Sequence, residues 1–179
     1  MAEAFSNKLA RAVGIETTSS AGTVGVTTTK ITGISTGAVS VGDIVDNLHY
    51  IAGTKVETIG IGTVWVSRDS TNTASASGQS VKFLGPTEVY ASPGSTKSII
   101  IGGTFANNTN NQVNLTVSVH DQSASIESAI AQKIPVPHGS SFVISDAGKT
   151  LLESDDIVKV YCDTDNAIDV NLSILTGVS

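Results

Sequence analysis

Apolar and polar residues alternate along two stretches in the second half of the chain. The apolar positions are Val113, Leu115, Val117 and Val119 in the first stretch, and Ile168, Val170, Leu172 and Ile174 in the second. A period of two places successive side chains on opposite faces of a β-strand. Each stretch therefore predicts a strand with one buried face, and we expect both apolar sets to point into one core.

Further strands are predicted before and between these two stretches. Their ranges are 97–105, 129–136, 141–144 and 157–162. A series of short strands separated by about 8–15 residues is typical of an antiparallel sandwich of two sheets. The pattern therefore predicts an all-β fold, with an antiparallel β-sandwich of the immunoglobulin-like or jelly-roll-like kind over residues 86–179.

A smaller β module is predicted over residues 20–85. Within it, residues 53–59 and 63–67 form two strand patterns joined around a glycine-rich turn, which is typical of a β-hairpin. Pro86 marks the boundary of the module, because proline has no amide hydrogen to donate to a strand ladder.

The one helical pattern in the sequence lies near the N-terminus. Its apolar residues are Ala4, Phe5, Leu9, Ala12 and Val13, and Gly14 follows them. Spacings of three and four residues predict one apolar face of a helix, and glycine favours its end. Residues 3–13 are therefore predicted to form a short helix within an N-terminal segment of residues 1–19, with a flexible arm as the alternative. Phe5, Leu9 and Val13 would form a stripe for docking on a neighbouring subunit, and we take them as candidate assembly contacts.

Charged residues make up 15% of the chain, against roughly 25% in ordinary soluble proteins, and the net charge is −6. The ten basic residues are scattered rather than clustered, so nucleic acid is not a predicted partner. No apolar run reaches the length of a membrane span, and the first residues lack the apolar core of a signal peptide. We therefore expect synthesis in the cytoplasm and no membrane partner.

The sequence contains no motif that predicts catalysis or cofactor binding. The three histidines are His49, His120 and His138, and none has the spacing of a metalloprotease site. Gly33-Ile34-Ser35-Thr36-Gly37 has the Gly-x-Ser-x-Gly spacing of a nucleophile elbow, but no helical pattern follows it, as that strand-to-helix turn requires. Cys162, the single cysteine, lies in an apolar run and is interpreted as a small buried residue. We predict a protein that is not an enzyme and needs no cofactor.

A group of acidic residues is the only pattern that suggests a metal ion. Asp155 and Asp156 precede one predicted strand, and Asp163 and Asp165 follow it. Closely spaced carboxylates suit calcium, but an EF-hand loop starting at Asp163 would need glycine at its sixth position, where this chain has Ile168. The four aspartates are weak calcium candidates, and turn formation accounts for them equally well.

Six segments of the second half resemble, in the same order, segments of a known protein class. Their ranges are 89–94, 99–107, 113–121, 134–139, 151–156 and 169–175. Together with the opening residues 5–14, they resemble small β-sandwich virion proteins of tailed bacteriophages, especially marine phages of cyanobacteria. In those proteins the segment equivalent to the one around Tyr90 follows soon after the opening. The resemblance therefore implies that residues 20–85 are an insertion.

The resemblance implies a non-enzymatic structural protein of a tailed phage virion, present in multiple copies at the head–tail neck or along the tail. Its partners would be copies of itself and other virion proteins of the portal, neck, tail or capsid. Its location would be the virion, after synthesis in the host cytoplasm. One alternative is a capsid decoration protein. A second is a host-surface module that binds glycans, although aromatic residues make up only 4% of the chain.

Overall fold

The computed structural model describes residues 3–145 and 149–178. In these residues the chain forms fifteen strands and no helix, and the paired strands run antiparallel. The strands are β1 (Ala4–Val13), β2 (Ile15–Val24), β3 (Lys30–Thr32), β4 (Ile44–Asp46), β5 (Val56–Gly60), β6 (Thr63–Val66), β7 (Ala76–Gly85), β8 (Thr87–Ala91), β9 (Lys97–Asn107), β10 (Val113–Asp121), β11 (Ile126–Val136), β12 (Ser141–Ile144), β13 (Thr150–Leu152), β14 (Ile157–Cys162) and β15 (Ile168–Val178). The prediction of an all-β, antiparallel fold is confirmed.

The prediction of an N-terminal helix is wrong. Its residues form β1, which pairs with β15. A helix of this length is marginal in water, so the backbone partners offered by β15 decide the conformation. The pairing register shifts between Ala10 and Val13, which marks a β-bulge. Because of the bulge, the side chain of Val13 lies in the core while those of Phe5 and Leu9 stay exposed. A strand with one bulge therefore shows apolar residues at the three- and four-residue spacings of a helix.

The chain divides into two compact units. Unit 1 comprises Met1–Gly14 and Thr87–Ser179, and unit 2 comprises Ile15–Pro86. The N-terminal strand thus belongs to the same unit as the strands that follow Pro86. The sequence prediction instead kept residues 1–19 apart and began the small module at residue 20.

Unit 1 contains two sheets. One has the order β1-β15-β9-β12, with β13 also pairing with β9, and the other has the order β11-β10-β14-β8. Both contribute to a single hydrophobic core, for example through Phe105 and Leu172 from the first sheet and Leu115 and Val160 from the second. The two alternating sets predicted from the sequence lie in this core, with Val119 only partly buried. That prediction is confirmed.

Unit 2 contains one six-stranded sheet with the order β4-β7-β2-β3-β6-β5. Backbone hydrogen bonds also join its two end strands. The amide of Val45 donates to the carbonyl of Thr54, and that of Val56 donates to the carbonyl of Asp43, each at 2.8 Å. These bonds close the sheet on itself, as in a small β-barrel. The core of this unit consists of Val24, Ile31, Ile34, Val39, Val45, Tyr50, Val56, Val64, Val66, Val81 and Phe83.

The hairpin predicted in this unit is confirmed by β5 and β6. The two strands pair from Val56 with Val66 to Gly60 with Thr63. Gly62 sits in the connecting turn with a φ of +63°, in the left-handed region where a side chain is unfavourable. The turn therefore depends on glycine at this position.

Candidate functional site

One face of the five-stranded sheet of unit 1 carries exposed apolar side chains. On β1, at one edge, Phe5 and Leu9 are 77% and 72% exposed. On the strands beyond β9, Val143 of β12 and Leu151 of β13 are 56% and 51% exposed. These side chains point away from the core, and we call the surface that they and the residues between them form the outer face.

Cross-strand pairing arranges the residues of the outer face in rows. One row consists of Phe5, Leu175, Ile99 and Leu151. A second row consists of Leu9, Asn171, Thr104 and Val143. Between them lie Asn7 and Ser173, which pair with one another. The apolar residues are therefore continuous across the sheet in the first row and lie at both ends of the second.

A β-bulge in β9 adds one more apolar residue to this surface. Ile174 pairs with Ile100 and Ser173 pairs with Gly102, so Ile101 has no direct partner on β15. Such an extra residue re-aims side chains next to it. Ile100 is buried in the core, whereas Ile101 is only partly buried and lines a depression of the outer face.

Two shallow depressions lie along β15. The first, of about 410 Å³, is lined in part by Phe5, Ile101 and Ser173. The second, of about 330 Å³, is lined in part by Leu9 and Asn171. Both lie over short polar side chains of β15, beside the longer side chains of Phe5 and Leu9 on β1. The outer face thus has a ridge, formed by Phe5 and Leu9, beside a groove.

Charged groups border the outer face at its two ends. At one end, Asp169 accepts a hydrogen bond from the backbone amide of Ala12 at 2.8 Å, near Arg11. At the other end, Lys97 and Glu153 form an ion pair at 3.0 Å. The rows between these ends contain only apolar and uncharged polar residues. Covering these rows therefore removes no charge from water, whereas the second depression is also lined by Arg11 and Asp169.

The structure changes the set of candidate assembly contacts. Phe5 and Leu9 both lie on the outer face, but Val13 is only 2% exposed and belongs to the core. The bulge between Ala10 and Val13 accounts for the difference, because it reverses the alternation at the end of β1. The predicted stripe of three residues is therefore reduced to two.

Sequence reasoning missed the rest of the outer face, although a signal was present. Four strands contain consecutive large apolar residues, of which one is buried in the core and the other lies on the outer face. These pairs are Ile99–Ile100, Val143–Ile144, Leu151–Leu152 and Ile174–Leu175. Strands that are apolar on both faces are typical of sheets covered on both sides. Doublets in four neighbouring strands therefore indicate a second apolar face.

The four aspartates proposed as weak calcium candidates do not come together. Asp155 and Asp156 precede β14, while Asp163 and Asp165 follow it. A strand rises about 3.3 Å per residue, so the two pairs are roughly 20 Å apart. Asp156 accepts hydrogen bonds from the backbone amides of Glu153 and Gln122, at 2.9 and 3.2 Å. In residues 3–145 and 149–178, no group of three or more histidine, cysteine, aspartate or glutamate side chains could hold a metal ion.

Asp163 also has a structural role. Its carboxylate accepts hydrogen bonds from the backbone amide of Asn114 at 2.9 Å and from the side-chain amide of the same residue at 2.7 Å. These bonds hold the start of β10 beside the end of β14. The contacts of Asp156 and Asp163 are those expected of carboxylates that stabilise turns.

The chemistry-bearing residues His120 and Cys162 lie at separate places in unit 1. His120 is near the end of β10, and its Nδ1 is buried without a hydrogen-bond partner. Cys162 ends β14, where burial raises the pKa of its thiol to about 11. A thiol with so high a pKa is a poor nucleophile at neutral pH. A Cβ at Gly14 would lie 2.5 Å from the Cys162 sulfur, so the close packing there requires glycine.

The remaining two histidines are also apart from one another. His49 lies between β4 and β5 in unit 2, and its backbone amide donates to Asn47 at 2.9 Å. His138 lies in the connection between β11 and β12 in unit 1. The three histidines are therefore on different connections or strand ends.

Trp65 is the partly exposed aromatic residue of unit 2, at 38% exposure. It lies on β6 opposite Lys30, whose ammonium group is 5.5 Å from the ring centroid. The ring also contacts Gly60, where an added Cβ would approach it to 3.1 Å. A cation and a backbone segment thus already occupy positions against this ring, which leaves less of it for a sugar to stack on.

Comparisons with known proteins identify no relative: no protein-family model, no curated protein and no solved structure matches the chain. In the part of the chain that the structure describes, no helix is long and apolar enough to cross a membrane.

Proposed function

We propose that this chain is a non-enzymatic structural component of a tailed phage virion, which assembles in multiple copies at the head–tail neck or along the tail. We also propose that the two sheets of unit 1 pack face to face as an antiparallel β-sandwich. The single core to which both sheets contribute supports the sandwich. The family resemblance of the second half of the sequence supports the virion role.

The outer face is the observation that carries the assembly part of the proposal. Contiguous apolar patches on a soluble protein mark interaction sites. Full burial of a Leu, Val or Phe side chain contributes about 1.5–3 kcal/mol, so covering Phe5, Leu9, Val143 and Leu151 supplies ample free energy for association. A sheet face without charges also suits a permanent contact better than a transient one, because obligate interfaces are the more hydrophobic.

The copy number of the chain in purified virions tests the proposal. Quantitative mass spectrometry against the portal and major capsid proteins gives the stoichiometry, and immunogold labelling gives the location. A copy number of one or two rings favours the neck, and a number that scales with tail length favours the tail. A copy number close to that of the major capsid protein favours the alternative of a decoration protein. Absence of the chain from purified virions contradicts the proposal.

The alternative of a host-surface module rests on Trp65, because an exposed tryptophan is the usual stacking surface for a sugar ring. Lys30 and Gly60 already lie against this ring, so we rank this alternative lower. Binding of the isolated chain to a glycan array, lost in Trp65→Ala, would favour it over a structural role.

A further inference from the structure

We propose that β1 binds an extended acidic segment of a neighbouring protein, which adds to the five-stranded sheet of unit 1 as a further antiparallel strand. This inference rests on the proposed assembly function and names the kind of partner that binds at this edge. In strand addition, backbone hydrogen bonds supply the affinity and alternate side chains supply the specificity. A large apolar interface is therefore not required.

β1 is an edge strand with one open side. It pairs with β15 over seven consecutive residues, from Ala4 with Thr176 to Ala10 with Val170. In the described part of the chain, no strand pairs with its other side, and most of its residues are exposed. Alternate residues of a strand direct their N–H and C=O groups to opposite sides. Every second residue of this stretch therefore offers both groups to an added strand.

The other sheet edges of unit 1 are protected in ways that β1 is not. β8, β12 and β13 are only three to five residues long, and β11 contains Pro135 and has register shifts against β10. Short strands, bulges and proline are the usual means of preventing addition to a sheet edge. β1 has ten residues and no proline, and its register shift lies beyond Ala10. Among the described edges of unit 1, β1 is therefore the most suitable for an added strand.

The charges of β1 favour an acidic segment. The chain has 16 acidic and ten basic residues, yet β1 contains Lys8 and Arg11 and no acidic residue. Arg11 lines the same depression as Asp169, whereas the residue opposite Lys8 on β15 is the apolar Leu172. Opposite charges on directly paired residues of neighbouring strands are favourable. A carboxylate on the added strand would give Lys8 the cross-strand partner that β15 does not provide.

The same charges disfavour β1 of a second copy as the added strand. Two β1 strands side by side would bring together Lys8 and Arg11 of both copies, with no carboxylate from either strand. Like charges on neighbouring strands are unfavourable, and lysine on an edge strand is a common means of preventing self-pairing. Lys8 therefore opposes a copy of its own strand and favours an acidic segment, which is specificity by repulsion as well as attraction.

Phe5 and Leu9 define a second property of the segment. Both side chains lie on the outer face, whereas Lys8 lies on the inner side of the strand, with its ammonium group 5.9 Å from the ring centroid of Tyr90. Apolar residues opposite Phe5 and Leu9 would cover their free flanks and continue the rows of the outer face. The expected partner is thus an alternating segment, apolar on the outer side and with a carboxylate on the inner side.

Binding of a synthetic peptide to the full-length chain tests the proposal. In the antiparallel arrangement, the peptide Thr-Val-Glu-Thr-Ser-Val-Thr places valine opposite Phe5 and Leu9 and glutamate opposite Lys8. Fluorescence anisotropy of the labelled peptide gives the dissociation constant. We expect Lys8→Glu to raise this constant at least about fivefold, or about 1 kcal/mol, because an attractive pair becomes a repulsive one.

Two controls show whether the charge effect belongs to this edge. A peptide with lysine in place of glutamate should bind the Lys8→Glu variant more tightly than it binds the unmodified chain. Lys149→Glu makes the same change in net charge at an exposed position before β13, and it should bind the acidic peptide as the unmodified chain does. Equal weakening by Lys8→Glu and Lys149→Glu would contradict the proposal.

N-methylation of the peptide distinguishes strand addition from docking of side chains alone. A methyl group removes an amide donor, and alternate amides of the added strand point to opposite sides. Of two peptides methylated at alternate sets of residues, we expect one to lose binding and the other to bind as the unmethylated peptide does. Methylated peptides that behave alike would overturn strand addition. Failure of the unmethylated peptide to bind at millimolar concentration would also overturn it.

Incorporation into virions separates this inference from the proposed function. If the chain is present in virions but the acidic peptide does not bind, strand addition at β1 fails and the proposed function stands. If the peptide binds with the expected dependence on Lys8 but the chain is absent from virions, the proposed function fails and strand addition stands.

Discussion

The two units of this chain differ in how their sheets end and in what their exposed sheet faces carry. In unit 2, backbone hydrogen bonds between residues 43–45 and 54–56 connect the two ends of the sheet. In unit 1, the five-stranded sheet ends at β1, and its outer face is apolar. Unit 2 also has exposed apolar residues, but Val41, Leu48 and Ile61 lie in turns, and its exposed strand residues Ile15 and Trp65 lie on different strands that do not pair with one another. This difference is the reason for proposing that unit 1 is the part that assembles.

Each unit carries one natural reporter, which allows the comparison to be tested. Trp65 is the only tryptophan and lies in unit 2, while Cys162 is the only cysteine and lies buried in unit 1. Trp65 fluorescence therefore follows the unfolding of unit 2. The reactivity of the Cys162 thiol follows the opening of unit 1, because the buried sulfur must be exposed before it reacts.

The largest expected effects come from truncating one large side chain in each core. Phe83 of unit 2 and Leu172 of unit 1 are both fully buried. We expect Phe83→Ala to lower the free energy of unfolding of unit 2 by about 3–5 kcal/mol, and Leu172→Ala that of unit 1 by about 2–5 kcal/mol. Urea unfolding followed by Trp65 fluorescence and by thiol reactivity gives the two values separately.

The crossed measurements are the control for this pair. Phe83→Ala should leave the reactivity of Cys162 nearly unchanged, and Leu172→Ala should leave the Trp65 transition in place. If either substitution shifted both transitions equally, the units would unfold as one, and the contrast between them would have no energetic basis.

Removal of β1 should have the next largest effect. Deleting residues 1–13 takes Val13 out of the core and leaves the edge of β15 unpaired. Burial of Val13 alone accounts for about 1.5–3 kcal/mol, so we expect unit 1 to lose at least this much stability. Thiol reactivity measures the loss, and the Trp65 transition should not move.

A double substitution separates the pairing role of β1 from its surface role. Phe5→Ser with Leu9→Ser keeps the strand and removes only exposed side chains, so the stability should change by about 0.5 kcal/mol or less. A deletion that left the protection of Cys162 unchanged would show that β1 is not needed for the fold of unit 1. In that case the segment would serve contacts between copies alone.

The N-terminal segment also shows where sequence reasoning fails. The alternating residues from Val113 to Val119 could be interpreted correctly, because a period of two over several residues fits a strand and nothing else. In residues 4–13, one bulge converts a strand pattern into spacings of three and four. No local signal distinguishes a bulged strand from a helix in this segment, because β15, the strand that pairs with it, lies more than 150 residues away in the sequence. The pairing of distant strands overrides local preference here.

The candidate site was only half predictable for a related reason. Phe5 and Leu9 could be named from the sequence as contact residues, although on the wrong element. Ile99 and Leu151 were missed, because the apolar doublets that contain them indicate a second apolar face but not which member of each doublet lies on it. Only the register of β9 with β13 and β15 places these two residues in one row with Phe5. Register depends on contacts between distant parts of the chain, and a single sequence does not contain it.

Excision of unit 2 should have a small effect on unit 1. Ile15 at its start pairs with Gly85 near its end, so the chain enters and leaves unit 2 at neighbouring positions. A short glycine-serine linker between Gly14 and Thr87 can then replace residues 15–86. We expect the stability of unit 1 to change by about 1 kcal/mol or less, because the effective length of the loop to be closed is similar.

Circular dichroism and Cys162 protection measure the product of this excision. The matched experiment is residues 15–86 alone, which should fold and keep the Trp65 transition of the whole chain. An excised unit 1 that is unfolded with linkers of several lengths would contradict the division into independent units.

The smallest expected difference concerns a lysine over an aromatic ring in each unit. Lys30 lies 5.5 Å from the ring centroid of Trp65 in unit 2, and Lys8 lies 5.9 Å from that of Tyr90 in unit 1. Tryptophan attracts a cation more strongly than tyrosine does, and such pairs contribute about 0.5–1 kcal/mol at exposed sites. We therefore expect Lys30→Gln to destabilise unit 2 by about this much and Lys8→Gln to destabilise unit 1 by less.

Lys149→Gln, at an exposed position before β13, controls for the loss of one positive charge. Equal effects of all three substitutions would mean that the change in net charge, and not the ring contact, determines the result.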